Sequence, residues 1–382
     1  MSKFRLDPGK RTVALFVMLC LAALGWSQNP PEDQWPAADR IVAIGDLHGD
    51  YDGFVQLLRD AGLVDGKLNW RGGKTHLVQT GDVPDRGDNT RKILDLLMKL
   101  APKARAAGGF VHSLIGNHEG MNIYGDLRYA TPGEFASFRD RNSERMRDAF
   151  FAQEKQELEK NPPPQGLPAF DEEYRKQWNV RYPLGWVEHR MGFGPTGTYG
   201  RWIRGNNAIV RVGDTLFVHG GLSPKYADRT ARSMNVQVRE ELEDFSKLKN
   251  GIVMDPEGPL WYRGLVSEGN GALAPHVEAL LKFHGVSRIV VGHTPTDGAI
   301  LTHFGGKVVA IDVGISAAYG GRRACLLIEK GHAAALHRGH LLGLPGDSPA
   351  ELLAYYRQAA AFDPAPSPLA SHIRRLESQG HP

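Results

Sequence analysis

Short apolar runs that close on glycine and a polar residue recur along this chain. "RIVAIG" (40–45), "THLVQTG" (75–81), "GFVHSLIG" (109–116), "TLFVHGG" (215–221), "SRIVVGH" (287–293) and "KVVAIDVG" (307–314) are short and β-branched, and each predicts a strand. Helical patterns lie between them. In "DGFVQLLRDAG", Phe54, Leu57, Leu58 and Ala61 recur at helical spacing and Gly62 can close the helix. Ile93, Leu96, Leu97 and Leu100 mark a second helix, and "HVEALLKFHG" a third. Strands alternating with helices predict a layered α/β domain with its sheet covered on both faces.

Residues 120–205 interrupt that rhythm. "TPGEFASFRDRNSERMRDAFFAQEKQELEKN" is charged and helical in character, "PPPQGLP" breaks it, and "FDEEYRKQW" gives a further polar helix before a Gly- and aromatic-rich stretch. The pattern predicts a mostly helical cap inserted into a main domain spanning 39–345. "AELLAYYRQAAA" predicts one more helix, and the Pro-rich tail from Phe362 a loosely ordered terminus.

The N-terminus stands apart. A basic start (Lys3, Arg5, Lys10, Arg11) precedes an apolar run from Thr12 to about Trp26. That run is short against the ~20 residues of a spanning helix and suits a signal-peptide core. Gly25 and Ser27 can occupy the small positions of a cleavage site. Residues 1–27 therefore predict export, to the periplasm or the medium, with an uncleaved anchor as the rival; 28–38 read as a linker. Removing 1–27 leaves 42 basic and 42 acidic residues. The basic excess of the full chain is thus targeting signal and argues for no nucleic-acid partner. Cys20 falls in that segment, so the mature monomer keeps only Cys325 and forms no internal disulfide.

Five of the strand ends deliver polar side chains. "IVAIGDLHGD" brings Asp46 and His48, "LVQTGDVPDRGD" brings Asp82, Asp85 and Arg86, "SLIGNHE" brings Asn117 and His118, "LFVHGG" His219 and "IVVGHTP" His293. Ligands of open α/β sheets gather beyond the carboxyl ends of strands. Six potential metal ligands, Asp46, His48, Asp82, Asn117, His219 and His293, can converge on one crevice. Mixed imidazole and carboxylate sets suit Mn, Fe or Zn better than an all-oxygen Mg or Ca cage, and one carboxylate can bridge two ions. Two divalent ions bring four positive charges; two aspartates and a hydroxide remove three, leaving one to attract an anion. Asn117, a neutral donor, preserves that surplus. Two other signals carry no site. "GFGPTG" (192–197) holds a proline and opens no periodic helix, against dinucleotide binding, and "HRGH" (337–340) reads as an exposed loop.

The five motifs "GDLHG", "GDVPDRG", "GNHE", "HGG" and "GHT" stand in the order found in PPP-type, calcineurin-like metallophosphatases, and the chain resembles that family from about Arg40 to Tyr319. "GNHEGMNIYGDLRYA" and "GPLWYRG" are most similar to its Shewanella-like phosphatase branch, whose members dephosphorylate phosphoproteins, phosphotyrosine included. The resemblance implies the layered metallophosphoesterase fold, with Asp46, His48 and Asp82 on a first metal and Asn117, His219 and His293 on a second. Asp82 bridges them, and Mn is the first expectation, Fe or Zn the alternatives. His118 is implied as general acid, oriented and kept charged by Asp85, with Arg86 and Arg263 clamping phosphate oxygens. The implied reaction is direct hydrolysis of a phosphomonoester, on a phosphoprotein or small ester, by a metal-bridging hydroxide. Asn122, Arg128, Tyr129 and Tyr319 are further candidates for the substrate mouth. The main rival is hydrolysis of a phosphodiester or dinucleoside polyphosphate at the same centre; a non-catalytic scaffold is disfavoured because no ligand is missing.

Overall fold

The computed structural model describes residues 32–268, 270–296 and 298–379; the predicted signal segment lies outside them. Among the described residues, twelve strands form two six-stranded mixed sheets. In the first, β2 (Arg40–Ile44), β3 (His76–Gln79) and β4 (Phe110–Ser113) run parallel. It continues antiparallel from β2 through β10 (Ala324–Glu329), β11 (His332–His337) and β12 (His340–Gly343). The second orders β1 (Gln34–Trp35), β5 (Ile209–Val212), β6 (Thr215–Val218), β7 (Arg288–Val291), β9 (Val308–Ala310) and β8 (Leu301–His303), with β6, β7 and β9 parallel.

Register brings the strand ends level. Ile44 pairs with Gln79 and Gln79 with Ser113, while Val218 pairs with Val291 and Val291 with Ala310. The loops that follow therefore start side by side in each sheet. Their strands are buried almost throughout: Ile44, Leu77, Phe217 and Val290 are fully enclosed in one continuous apolar core. Each such side chain contributes roughly 1.5–3 kcal/mol by leaving water, so the loops rest on a stiff base. The two sheets also touch near those ends. A Cβ on Gly45 would fall 2.4 Å from the Ile311 carbonyl oxygen, so only glycine fits between β2 and the end of β9.

Helices cover the sheets. α1 (Tyr51–Asp60) is capped by Asp50, whose carboxylate accepts from the Gly53 N–H at 2.8 Å, and α2 (Thr90–Ala106) leads into β4. Six helices then separate β4 from β5: α3 (Asn117–Tyr124), α4 (Pro132–Ser137), α5 (Ser143–Lys160), α6 (Glu172–Arg181), α7 (Trp186–Phe193) and α8 (Thr198–Arg204). The charged run at 131–161 is thus two helices, and the Gly- and aromatic-rich stretch carries two more. "GFGPTG" joins α7 to α8; a helix does follow it, but a helix rather than a strand precedes it. α9 (Ala231–Glu243), α10 (Gly264–Ser267) and α11 (Asn270–His284) follow β6, and α12 (Pro349–Ala360) and α13 (Ala370–Ser378) end the chain.

Two expectations are corrected here. "HRGH" is a two-residue hairpin between β11 and β12, with positive φ at Arg338 (48°) and Gly339 (81°), and His337 is fully buried. The tail is not loose as far as Gln379: α13 packs Leu376 inward behind the buried Leu369, and the buried Asp363 side chain accepts from His337 Nε2 (3.0 Å) and Arg338 Nε (2.9 Å).

Candidate metal centre

The turns after β2, β3 and β4 lock together through Asp82. Its carbonyl accepts from the Leu47 and His48 N–H groups (3.0 and 2.9 Å), and its Oδ1 accepts from the His118 N–H (3.0 Å). Glu119 closes the knot, accepting from the Asp82, Val83 and Gly116 N–H groups at 2.8 Å each. Gly116 is required by contact as well, since a Cβ there would meet Asp82 Oδ1 at 2.3 Å. His48, Asp82, Asp85, Arg86 and His293 all have left-handed backbones, with φ between 42° and 73°. Each such residue costs about 1–2 kcal/mol, a strain that clusters where a surrounding network over-determines functional side chains.

The four imidazoles fall into two kinds. His48 Nδ1 faces the Pro84 carbonyl (3.0 Å), His219 Nδ1 the Thr80 carbonyl (2.8 Å) and His293 Nε2 the Trp261 carbonyl (3.1 Å). A carbonyl only accepts, so in each ring that nitrogen carries the proton and the other offers a lone pair. Burial pushes His48 down to about 3 and His293 well below the usual histidine range, so both stay neutral near pH 7. His118 differs. Its Nδ1 bonds the Asp85 carboxylate. Burial opposes its charge, but Asp82 and Asp85 outweigh burial and raise its pKa.

Two clusters of donors share Asp82: His48–Asp82–His118 and Asp82–His219–His293, each with its atoms within 4.8 Å of one another. Asn117 joins the second, its Oδ1 lying 2.9 Å from His219 Nε2, which is itself 3.3 Å from Asp82 Oδ1. With the His219 proton on Nδ1, three lone-pair donors face one another there, an arrangement that a cation between them stabilises. Asp46 stands apart from both clusters by that distance measure. It is buried beside them, its carboxylate accepting from the His293 N–H at 3.0 and 3.1 Å. Burial first, then Asp312 and Asp82, raise its pKa. A dry pocket crowded with carboxylates and neutral imidazoles is destabilised by itself and suits divalent cations.

Around this centre, Arg86 lies between two rings, its Cζ 4.4 Å from the Tyr129 centroid and 5.2 Å from that of Tyr319. The same rings flank His118 (5.2 Å from Tyr129) and His48 (5.5 Å from Tyr319). Arg263 donates to the His293 carbonyl and to Thr294 Oγ1 (3.4 Å), which puts it on the rim beside the second cluster. Asn122 is buried and donates to Asp85 Oδ1 (3.1 Å) and to the His118 carbonyl (3.0 Å). Arg128 is exposed and paired with Asp126. All ten sequence-predicted site residues thus lie in or beside one cluster of contacts around Asp82.

Sequence reasoning missed Glu119, Asp312 and Glu134. Asp312 follows β9 as Asp46 follows β2, and the signal was the same: a polar residue close to a glycine at a strand end. It is buried, and burial raises it to about 6. Glu134 is fully buried against Asp85 from 49 positions away, which no local pattern announces.

Comparison with known proteins agrees with this geometry. Residues 39–297 match the calcineurin-like phosphoesterase family. A Shewanella-like protein phosphatase 2 of Arabidopsis thaliana is 33% identical over 73% of this chain and 72% of its own. An uncharacterized protein of Schizosaccharomyces pombe is 32% identical over 80% and 82%. The crystal structure of a cold-active protein-tyrosine phosphatase from a psychrophilic Shewanella superposes with a TM-score of 0.63, at 28% identity over 82% of each chain. The chain therefore belongs to the calcineurin-like phosphoesterase family, with Shewanella-like phosphatases among its relatives, and is a metal-dependent phosphoester hydrolase.

Proposed function

We propose that this enzyme hydrolyses phosphomonoesters on proteins, phosphotyrosine and phosphoserine or phosphothreonine being the candidate substrates. The carrying observation is the contrast among the imidazoles: three have one ring nitrogen on a backbone carbonyl, which leaves the other free to ligate, and one has its Nδ1 on a carboxylate, which suits a proton carrier. Asp46, His48 and Asp82 would hold one ion, and Asn117, His219 and His293 another, with Asp82 between; Mn suits this mixed set. When bound, such ions polarise phosphoryl oxygens and make a water acidic near neutral pH.

The chain's own residues do the rest. Arg86 grips two phosphate oxygens with its planar fork, kept in orientation by Tyr129 and Tyr319. Arg263, beside His293 and Thr294, is the second clamp. His118 donates from Nε2 to the departing oxygen while Asp85 retains Nδ1. Two observations support an aryl substrate: the half-exposed Tyr129 ring stands beside His118, and the Shewanella neighbour is a protein-tyrosine phosphatase.

The test is one panel: purified protein with Mn added or chelated, given phosphotyrosine and phosphoserine peptides, a bis-nitrophenyl diester and a dinucleoside tetraphosphate. Mn-dependent release of phosphate from the peptides is expected; turnover of the diester alone overturns the reading. We also propose export directed by residues 1–27. Among the described residues no helix is long and apolar enough to cross a membrane. Cell fractionation with N-terminal sequencing checks it, and retention of the intact chain in the cytoplasm counts against it.

A further inference from the structure

The insert between β4 and β5 holds the loop that carries Asp85 and Arg86. These two consecutive non-glycine residues are both left-handed, at φ 73° and 63°, and the insert takes both of their amide hydrogens. The Arg86 N–H donates to the Tyr129 carbonyl (2.9 Å), and the Asp85 N–H to Glu134 Oε1 (3.3 Å). A third tie, from Thr131 Oγ1 to Asp88 Oδ1 (2.6 Å), fixes the end of the same loop. Arg91 in α2 adds a fourth, donating to the Ser137 carbonyl at 3.2 Å.

Glu134 is built into place from its own side. Thr131 caps α4 by accepting from the Glu134 N–H (2.9 Å), and Ser137 Oγ donates to its carbonyl (2.7 Å). The residue is fully buried. A surface helix of six residues has no packing need for a buried acid, and an apolar side chain would suit that site better unless the carboxyl has work there. Its charged neighbour is Asp85. Burial, and then Asp85, push the Glu134 pKa up to about 8, so near pH 7 it is largely a neutral carboxyl.

We propose that Glu134 is a positioning residue for the reaction: by accepting the Asp85 N–H it keeps the Asp85 carboxylate in line with His118 Nδ1, so that the general acid points at the leaving oxygen. The inference rests on the roles assigned above to His118 and Asp85. Small misplacement of a reacting group can cost about 100-fold in rate, and general-acid help itself is typically worth about 10²–10⁴-fold. The cost falls on substrates that need their leaving group protonated.

The experiment compares E134A, E134Q and E134D in the parent and in H118N, on a phosphoserine peptide and on nitrophenyl phosphate, with metal content and melting temperature recorded for each. E134A should lower kcat about 10–100-fold on the peptide and less than about 3-fold on nitrophenyl phosphate, with two metals still bound. E134Q keeps the acceptor oxygen within reach and should recover to within about 3-fold of the parent. In H118N the further effect of E134A should shrink below about 3-fold, because both changes act through one proton. E134D withdraws the carboxyl by one methylene and carries the test should E134A fail to fold. An equal loss on both substrates, an unchanged penalty in H118N, or E134Q as impaired as E134A overturns the inference. An H118N enzyme as fast as the parent on the peptide overturns instead the assignment of His118.

Discussion

Replacing Asp85 by Asn isolates the group that separates His118 from the other three imidazoles. Asp85 is fully buried and bonds His118 Nδ1 and Asn122 Nδ2. An amide of the same shape keeps the packing and can still accept, but without the negative charge it stabilises a charged imidazole less than the carboxylate does. Hydrogen bonds to charged groups contribute about 1.5–3 kcal/mol, which at ~1.4 kcal/mol per tenfold predicts a fall in kcat of roughly 10–200-fold. Nitrophenolate leaves with little protonation, so the fall there should stay under about 5-fold. The pH profile has a definite sign. The carboxylates raise the His118 pKa and keep the acid protonated to higher pH; losing Asp85 lowers it, so the alkaline limb of kcat should move towards acid. Steady-state rates across the neutral range on both substrates, at saturating Mn, measure the two effects together. A D85N profile that superposes on the parent's, or an equal loss on both substrates, refutes the reasoning.

Three further changes probe separate parts of the centre and the fold. His219→Ala removes a fully buried donor of the second cluster, and elemental analysis should find one metal per chain in place of two. Arg86→Lys keeps the charge but not the fork; kcat/KM on phosphomonoesters should drop about 10–100-fold with both metals retained. Asp363→Ala removes the bonds that tie the C-terminal segment to β11 and the turn after it and should cost about 1–3 kcal/mol in urea unfolding. Burial opposes the Asp363 charge, but its bonds to His337, Arg338 and Ser367 outweigh it and hold the pKa near about 2, against ~3.9 unfolded. Its contribution is therefore complete above the unfolded value and lost as pH falls from about 4 towards 2, so parent and D363A should converge in acid.

What could be read from the sequence was what is local. A strand that stops at glycine and an acid or imidazole announces a loop residue at a sheet's carboxyl end, and Asp46, Asp82, Asn117, His219 and His293 are such residues. The register that levels them is not local, and the two sheets became visible only through pairings such as Gly45 against Ile311. β10, β11 and β12 went unread because "ACLLIE", "HAAALH" and "HLLG" lack both the β-branched bias and a polar ending of the same kind. The tail helix was hidden by its prolines, although Leu369, Ile373 and Leu376 keep helical spacing. Glu134 had no signal at all: an acid in a charged stretch reads as solvated, and only the folded chain shows it against Asp85.

Anomalous diffraction at the manganese edge, from crystals grown with Mn, tests the shared two-metal centre most directly. Two peaks about 3.5–4 Å apart are expected, one on each side of the Asp82 carboxylate, with His48 near one and His219 and His293 near the other. A single peak, or none within coordination distance of Asp82, contradicts that centre.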